Sequence, residues 1–519
     1  MKKLFLIFTF LPLSLMAQEK IMVIADPHVL AQSLVSPGEA MNNLMASQRK
    51  MLDLSEQAWY AVVDTALKYR PELVLIPGDL TKDSEKASHE LVAASLQRLN
   101  EAGVQTLVIP GNHDINGKAY AYQGDKKTSV ENLPDSAWET MYECVYSQVL
   151  AKDSNSHSYV AEPLDGVTVL GIDGAHGSAS TGSLSDATLN WLLAQADSAN
   201  AKHHMIIAMS HWQLLEHIDK QKRLESSCRF KNANALRDSL VRHGVHVILT
   251  GHFHVNGITT HHDSINANDS LVEITTGSTI TYPCPYRWLT VSPDRKQLTV
   301  STEDLQALPS QADLQTYSRE WMREHARNMV PQMSLRVWSR VDEAKAKVAS
   351  QFGETIAERL VKNCIPATDS AKMALVDKYM GSTAVELYLL HSDANEPEHP
   401  EADSLAQEVY TGMAGMINEM LDADPLIKTV LILPMTIFAQ TIAETPVQSL
   451  VEDVTNWGTD RANRTDDLSL TLTIGDGYEL QALHHTDAEL QPVKIIQNGQ
   501  VYILRDGKRF TLLGQEITQ

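Results

Sequence analysis

The sequence predicts an α/β layered fold for residues 18–304, and two observations carry that expectation. Five short runs rich in Val, Ile and Leu (21–25, 73–77, 106–110, 205–210 and 245–250) each stop at a turn residue or polar cluster, as buried strands do. Between them lie stretches with apolar residues at helical spacing. Strand and helix in alternation make a sheet layered with helices.

The elements follow in order. Residues 1–17 hold Lys2-Lys3, an apolar stretch from Leu4 to Met16 and then Ala17. A basic start, a short apolar core and a small residue describe a secretory signal peptide, and the stretch is too short for a membrane span. Export to the periplasm or the medium is expected, with no membrane span after removal. Trp59, Val62, Val63, Ala66 and Leu67 fall on one helical face ahead of Pro71. Val92, Leu96 and Leu99 mark a second helix, which Gly103 is placed to end. Leu189, Leu192 and Leu193 follow Ser185, an expected N-cap, and mark a third.

Each apolar run is followed by residues with chemistry. The clusters are Asp26-Pro27-His28, Gly78-Asp79, Gly111-Asn112-His113-Asp114, His211 and Gly251-His252-Phe253-His254. Loops at the carboxyl ends of neighbouring strands converge on one crevice. Two aspartates, an asparagine and four histidines would meet there. Carboxylate and amide oxygens suit hard divalent ions, imidazole suits Mn, Fe and Zn, and the set contains no thiolate. Two ions roughly 3.5–4 Å apart can clamp a phosphate and the oxygen that attacks it, provided one ligand bridges them. A carboxylate is the natural bridge. His252 and His254 are two apart, so in extended chain they point the same way.

This ordered set of motifs resembles the calcineurin-like metallophosphoesterase family over about residues 20–300. The resemblance implies two packed sheets flanked by helices. It places Asp26, His28, Asp79 and His254 around one metal, and Asp79, Asn112, His211 and His252 around the other, with Asp79 shared. It also implies a leaving-group role for His113, with Asp114 bonded to its far nitrogen. Two divalent or trivalent ions (Mn, Fe or Zn) are the expected cofactors. The attacking group would be water held between them, acidified towards neutrality.

Residues 116–157 are a polar insertion, and a comparable one marks exported, cyclic-nucleotide-phosphodiesterase-like members of the family. It would either wall the site or form a solvated loop. Asp173 and His176 look able to bind metal but match no ligand position. His217, six residues after His211, is a candidate to line the cleft, whereas His203, His204, His243, His246, His261 and His262 read as surface or packing residues. Arg287, in the Pro-rich stretch 282–287, is a candidate phosphate contact set against a structural role.

Beyond residue 304 the pattern changes. Val337, Val341, Ala344, Val348 and Phe352 form a helical stripe, and a helical domain is expected over 305–465. Within it, 393–403 reads as an acidic loop and 429–439 as a buried helix. Residues 466–519 read as a small antiparallel β subdomain. Leu468, Leu470, Leu472 and Ile474 alternate, and Asp476-Gly477, Asn498-Gly499 and Asp506-Gly507 are hairpin turns. Asn463-Arg464-Thr465 is a sequon only if the source glycosylates.

A formal charge of −22, or −24 without Lys2 and Lys3, disfavours binding to polymeric nucleic acid. Cys144, Cys228, Cys284 and Cys364 lack metal-site spacing and admit three pairings, with Cys284 read as a small buried hydrophobe. The expected partner is therefore a small phosphate ester. The leading reading is a phosphodiesterase, cyclic nucleotides among its substrates. A phosphomonoesterase or nucleotidase on the same metals is one rival, and a metal-stabilised envelope binding module without turnover is another.

Overall fold

All five apolar runs are strands, and their carboxyl ends meet. The computed structural model describes residues 18–176, 181–218, 221, 226–262, 270–338, 341–394, 401–438 and 467–473, with strands at 493–497, 500–505 and 508–510. The expected signal segment 1–17, the sequon and all three hairpin dipeptides lie outside the described residues. The chain divides into two compact units, Met1–Gln481 and Ala482–Gln519.

In the first unit the strands are β1 (Glu19–Val23), β2 (Leu73–Ile76), β3 (Gln105–Val108), β4 (Tyr120–Gln123), β5 (Lys126–Ser129), β6 (Ala151–Lys152), β7 (Tyr159–Leu164) and β8 (Val167–Ile172). After them come β9 (Met205–Ser210), β10 (Val247–Thr250), β11 (Gly257–His262), β12 (Ser270–Thr275), β13 (Pro285–Val291), β14 (Gln297–Asp304) and β15 (Ser469–Thr473). One sheet runs β15-β14-β13-β1-β2-β3 and the other β11-β12-β10-β9-β8-β7-β6. β1, β2 and β3 are parallel neighbours in the first. β9 and β10 are parallel neighbours in the second. Every residue of β2, β8, β9, β10 and β12 is buried, as expected of strands covered on both faces. A single continuous apolar core holds side chains from both sheets and from the helices outside them.

The three expected helices form where their apolar faces demand. Ser55–Tyr69 buries Trp59, Val62, Val63 and Ala66. Lys86–Glu101 buries Val92, Leu96 and Leu99 and gives way to Gly103 at φ 84°. Asp186–Ala201 starts at Ser185, whose hydroxyl accepts the Thr188 N–H at 3.1 Å. The 116–157 insertion is more than a solvated loop. Its β4–β5 hairpin bonds the 35–40 segment, Ser36 N donating to Tyr122 O at 2.9 Å. Its Trp138 and Tyr142 are wholly buried.

The helical region comprises Leu314–Trp338, Val341–Phe352, Glu354–Cys364, Asp369–Asp393, Ala402–Asp422 and Pro425–Phe438. Helix continues through Asp393 and resumes at Ala402, so most of the expected acidic loop falls at 395–400, outside the described residues. Ala439, the last residue of the expected buried helix, and residues 440–465 of the expected helical domain lie outside them too. Among the described residues no helix is long and apolar enough to cross a membrane.

The β region expected over 466–519 is split. β15 does not start a separate sheet; it pairs antiparallel with β14, Leu470 opposite Val300 and Leu472 opposite Leu298. The alternation of Leu470 and Leu472 was legible, but it completes the first sheet's edge and joins its core. In the second unit, β16 (Val493–Gln497), β17 (Gln500–Arg505) and β18 (Lys508–Phe510) form an antiparallel meander.

Candidate metal centre

The backbone at the strand ends is strained where the donors sit. Asp26, His28, Asp79, His252 and His254 all have φ between 40° and 66°. Each such non-glycine residue costs ~1–3 kcal/mol, and strain of this kind gathers at functional sites. Two glycines permit the close approach. A Cβ on Gly111 would stand 2.2 Å from Asp79 Oδ1, and one on Gly251 would stand 2.4 Å from Asp26 Oδ2.

The donors converge as two groups sharing Asp79. Asp26, His28, Asp79 and His254 offer ligand atoms all within 4.8 Å of one another, and so do Asp79, His211 and His252. Asp79 Oδ2 lies 3.5 Å from His28 Nε2 and 3.3 Å from His211 Nε2. His28 Nε2 and His254 Nε2 are 2.9 Å apart, with His254 Nε2 3.4 Å from Asp26 Oδ1. On the other side His211 Nε2 stands 3.0 Å from both Asn112 Oδ1 and His252 Nδ1. Metal–ligand bonds of ~2.0–2.2 Å place adjacent donors ~3 Å apart, so these spacings fit a coordination shell. All seven donors expected from sequence come together.

The surroundings aim the donors. His211 Nδ1 stands 2.8 Å from the Pro77 carbonyl, which can only accept, so Nδ1 carries the hydrogen and Nε2 faces the cluster. The backbone N–H of His252 donates to both oxygens of Asp26 (3.0 and 2.9 Å). The His113 N–H donates to Asp79 Oδ1 at 2.9 Å.

Electrostatically the pocket favours neutral imidazoles and rejects protons from Asp79. Burial pulls His252 down to about 3, and His28 and His254 well below their ordinary value. Burial alone would raise Asp79, but the His211, His113 and His28 imidazoles outweigh it and hold the carboxyl well below 3.8. His211 is pushed the other way, to about 9: burial opposes, while Asp79, Asp26 and the Pro77 carbonyl prevail. Burial lifts Asp26 to about 8 against the opposing pull of His211. Packing two carboxylates and four imidazoles out of water is costly unless a cation compensates. The donor set and its electrostatics fit cations.

His113 lies at the edge of this cluster, its ring 4.9 Å from that of His28. Its Nδ1 bonds Asp83 Oδ1 at 2.8 Å and not Asp114, which corrects the expectation for that pair. Asp114 instead accepts from Thr81 N (2.9 Å), Thr81 Oγ1 (3.2 Å) and Gly111 N (2.8 Å), pinning the loop that carries Asn112. Its position next to His113 in sequence turns its carboxylate the other way.

Two further candidates take structural places. Arg287 is wholly buried and bonds Thr302 Oγ1, Thr275 O and Asp467 O at 2.8–2.9 Å, so it ties β13 to β14, to the end of β12 in the other sheet and to the chain ahead of β15. His217 is buried, with Nε2 3.0 Å from Thr275 Oγ1 and 3.4 Å from Glu273 Oε1, and belongs to neither ligand group. Cys284 is buried as expected, its thiol pushed up to about 12.

Sequence reasoning missed Arg49, Lys50 and Asp83. Lys50 is buried with Nζ 3.4 Å from His28 Nδ1, and burial pulls its ammonium down to about 8. Arg49 donates to the Tyr388 hydroxyl from the Asp369–Asp393 helix. That helix also meets the site's rim through Tyr282 Oη on Asp393 Oδ1 (2.6 Å) and His391 against Phe253 (5.4 Å between rings). The available signal was two adjacent basic residues in a strongly acidic chain, and a carboxylate four residues after Asp79.

Residues 19–256 match the family described as calcineurin-like phosphoesterase. No curated protein matches the chain. Many solved structures are similar to it, the following three among them. One is a dimetal phosphatase from Danio rerio, at 15% identity and TM-score 0.41, over 55% of this chain and 95% of that one. A purple acid phosphatase from yellow lupin (Lupinus luteus) seeds aligns at 12% identity and TM-score 0.34, over 56% and 52%. The phosphopantetheinyl hydrolase from Mycobacterium tuberculosis aligns at 10% identity and TM-score 0.25, over 50% and 90%.

Proposed function

We propose that this chain, which belongs through residues 19–256 to the calcineurin-like phosphoesterase family and is a metal-dependent phosphoesterase, acts on phosphate diesters, cyclic nucleotides among them. The observation that carries the reading is the Asp79 carboxylate lodged between two imidazole groups, 3.5 Å from His28 Nε2 and 3.3 Å from His211 Nε2. In this reading Asp26, His28, Asp79 and His254 hold one ion, and Asp79, Asn112, His211 and His252 hold the other. The pair, when bound, supplies neutralisation of phosphate charge and acidification of water.

The chain's own groups do the rest. Asp79 receives the His113 N–H and so fixes the bridging carboxylate relative to the leaving-group side. Asp83 holds Nδ1 of His113, which leaves Nε2 to face the substrate and pass a proton to the departing oxygen. Lys50 and Arg49 add fixed positive charge beside the cluster, where an anionic ester gains from it. The proposal for diesters rests on the likeness of the 116–157 insertion to that of phosphodiesterase-like members. Action outside the cytoplasm rests on the Lys2-Lys3 and apolar pattern of residues 1–17.

One panel tests this. Purified protein is assayed for bound metal, then supplied with Mn²⁺ and offered a diester, a monoester and cyclic nucleotides. Faster turnover of diester supports the proposal. Preference for the monoester overturns the diester assignment, and full metal without any turnover leaves a binding module.

A further inference from the structure

We infer that Asp135, His157 and His176 form a third cation site, for a divalent transition ion such as Zn²⁺, sharing no residue with the catalytic cluster. Their ligand atoms lie within 4.8 Å of one another. The Asp135 carboxylate stands between the two imidazoles: Oδ1 is 3.1 Å from His157 Nε2, and Oδ2 is 3.1 Å from His176 Nδ1. Two imidazole nitrogens and a carboxylate are a donor set that Zn²⁺ and its neighbours in the first row accept.

The geometry around these donors is that of a prepared site. Metal-binding histidines present one nitrogen to the ion and the other to a carboxylate. His157 approaches this arrangement: Nε2 faces Asp135, while Nδ1 lies 3.5 Å from Glu139 Oε1, an ion-pair distance without a hydrogen bond. The residue is only 9% exposed, and among the described residues its Nδ1 has no hydrogen-bond partner. Asp173 holds the two histidine backbones in register. Its Oδ2 accepts the His157 N–H at 3.0 Å, and its Oδ1 accepts the N–H groups of Ala175 (2.8 Å) and His176 (3.2 Å). The His157 and His176 rings meet edge to face at 6.1 Å, and Trp138 backs the first of them. His176 is 46% exposed at its side chain, so the third donor faces solvent and an ion can enter from that side. Asp173 is therefore a positioning residue here, which accounts for a pair that matched no catalytic ligand position.

The test reads a difference in stoichiometry, so the number of ions in the catalytic cluster cancels. Full-length protein and its His176→Ala variant are dialysed against the same free Zn²⁺ concentration and their bound zinc is counted. His176 is half-exposed, so the variant keeps its fold, and thermal denaturation verifies that. The expected result is one equivalent fewer in His176→Ala, and the same loss in Asp135→Asn. A His243→Ala control should lose none, because His243 forms an exposed pair with Asp197 alone (2.7 Å). Equal zinc in wild type and His176→Ala, or an equal loss in the control, overturns the site.

Discussion

The side chain that orients His113 is Asp83, at 2.8 Å from Nδ1, while Asp114 faces away into the Thr81 and Gly111 backbone. The two aspartates should therefore fail differently. Asp83→Asn is expected to slow esters with poor, alkyl leaving groups by roughly 10–100-fold, the usual effect of removing an orienting carboxylate. Esters of acidic phenols should be nearly unaffected, since their leaving groups need no proton. Asp114→Asn should lower the denaturation midpoint and leave that selectivity unchanged. A leaving-group series on both variants decides it, and equal slopes for wild type and Asp83→Asn would remove His113 and Asp83 from proton transfer.

Arg287 is a second place where position misleads. A guanidinium just after the last strand-end motif invites a phosphate role, yet its donors are spent on Thr275 O, Asp467 O and Thr302 Oγ1. Arg287→Met should leave buried carbonyls without donors and cost roughly 2–5 kcal/mol of stability. KM should not move. A raised KM in a variant of unchanged stability would return Arg287 to the substrate.

What sequence could show follows the range of each signal. Donors such as Asp26 and His254 were legible because each follows a short apolar run that only a buried strand explains. The strand–helix alternation likewise announced the helices at Ser55–Tyr69 and Lys86–Glu101. Partner choice was hidden, because Asp83 and Asp114 are equally close to His113 in chemistry and differ only in loop direction. β15 was legible as a strand, but its pairing with β14 spans more than 150 residues of intervening chain, which no local pattern encodes. Tyr388 and His391 reach the site's rim from a helix with no motif of its own.

Asp304, at the end of β14, carries a prediction about pH. Burial raises its carboxyl from 3.8 to about 6, with Asp393 and Glu303 adding to the shift and Arg287 opposing it. Its Oδ1 has no hydrogen-bond donor among the described residues. The folded protein thus holds this proton more tightly than the unfolded chain does. As pH rises from 3.8 the unfolded chain ionises first, so stability falls until about pH 6 and stays lowered above it. At ~1.4 kcal/mol per pKa unit, reduced for partial exposure, the loss is roughly 1–2 kcal/mol. Asp304→Asn should match wild type near pH 3 and be more stable at pH 8. Urea denaturation at the two pH values measures it, and an unchanged pH slope between them would sink the assignment.

The carboxylate proposed to bridge the two ions makes the strongest demand. Asp79 is 1% exposed, receives one backbone N–H and faces imidazoles on both sides, and it is the residue common to both ligand groups. Asp79→Asn keeps the volume and loses the charge that two cations need. Turnover should fall by about 10³-fold or more, equivalent to ~4 kcal/mol of transition-state stabilisation. The fall should be as large for acidic phenyl esters as for alkyl esters, opposite to Asp83→Asn, because charge and not proton delivery is lost. Gly111→Ala should act in the same direction, since its Cβ would press on Asp79 Oδ1. Treatment with a chelator should abolish wild-type turnover and Mn²⁺ should restore it, whereas neither step should matter to Asp79→Asn. Metal analysis beside the assay separates the causes: an Asp79→Asn protein that kept two ions and wild-type turnover would show that the bridge lies elsewhere.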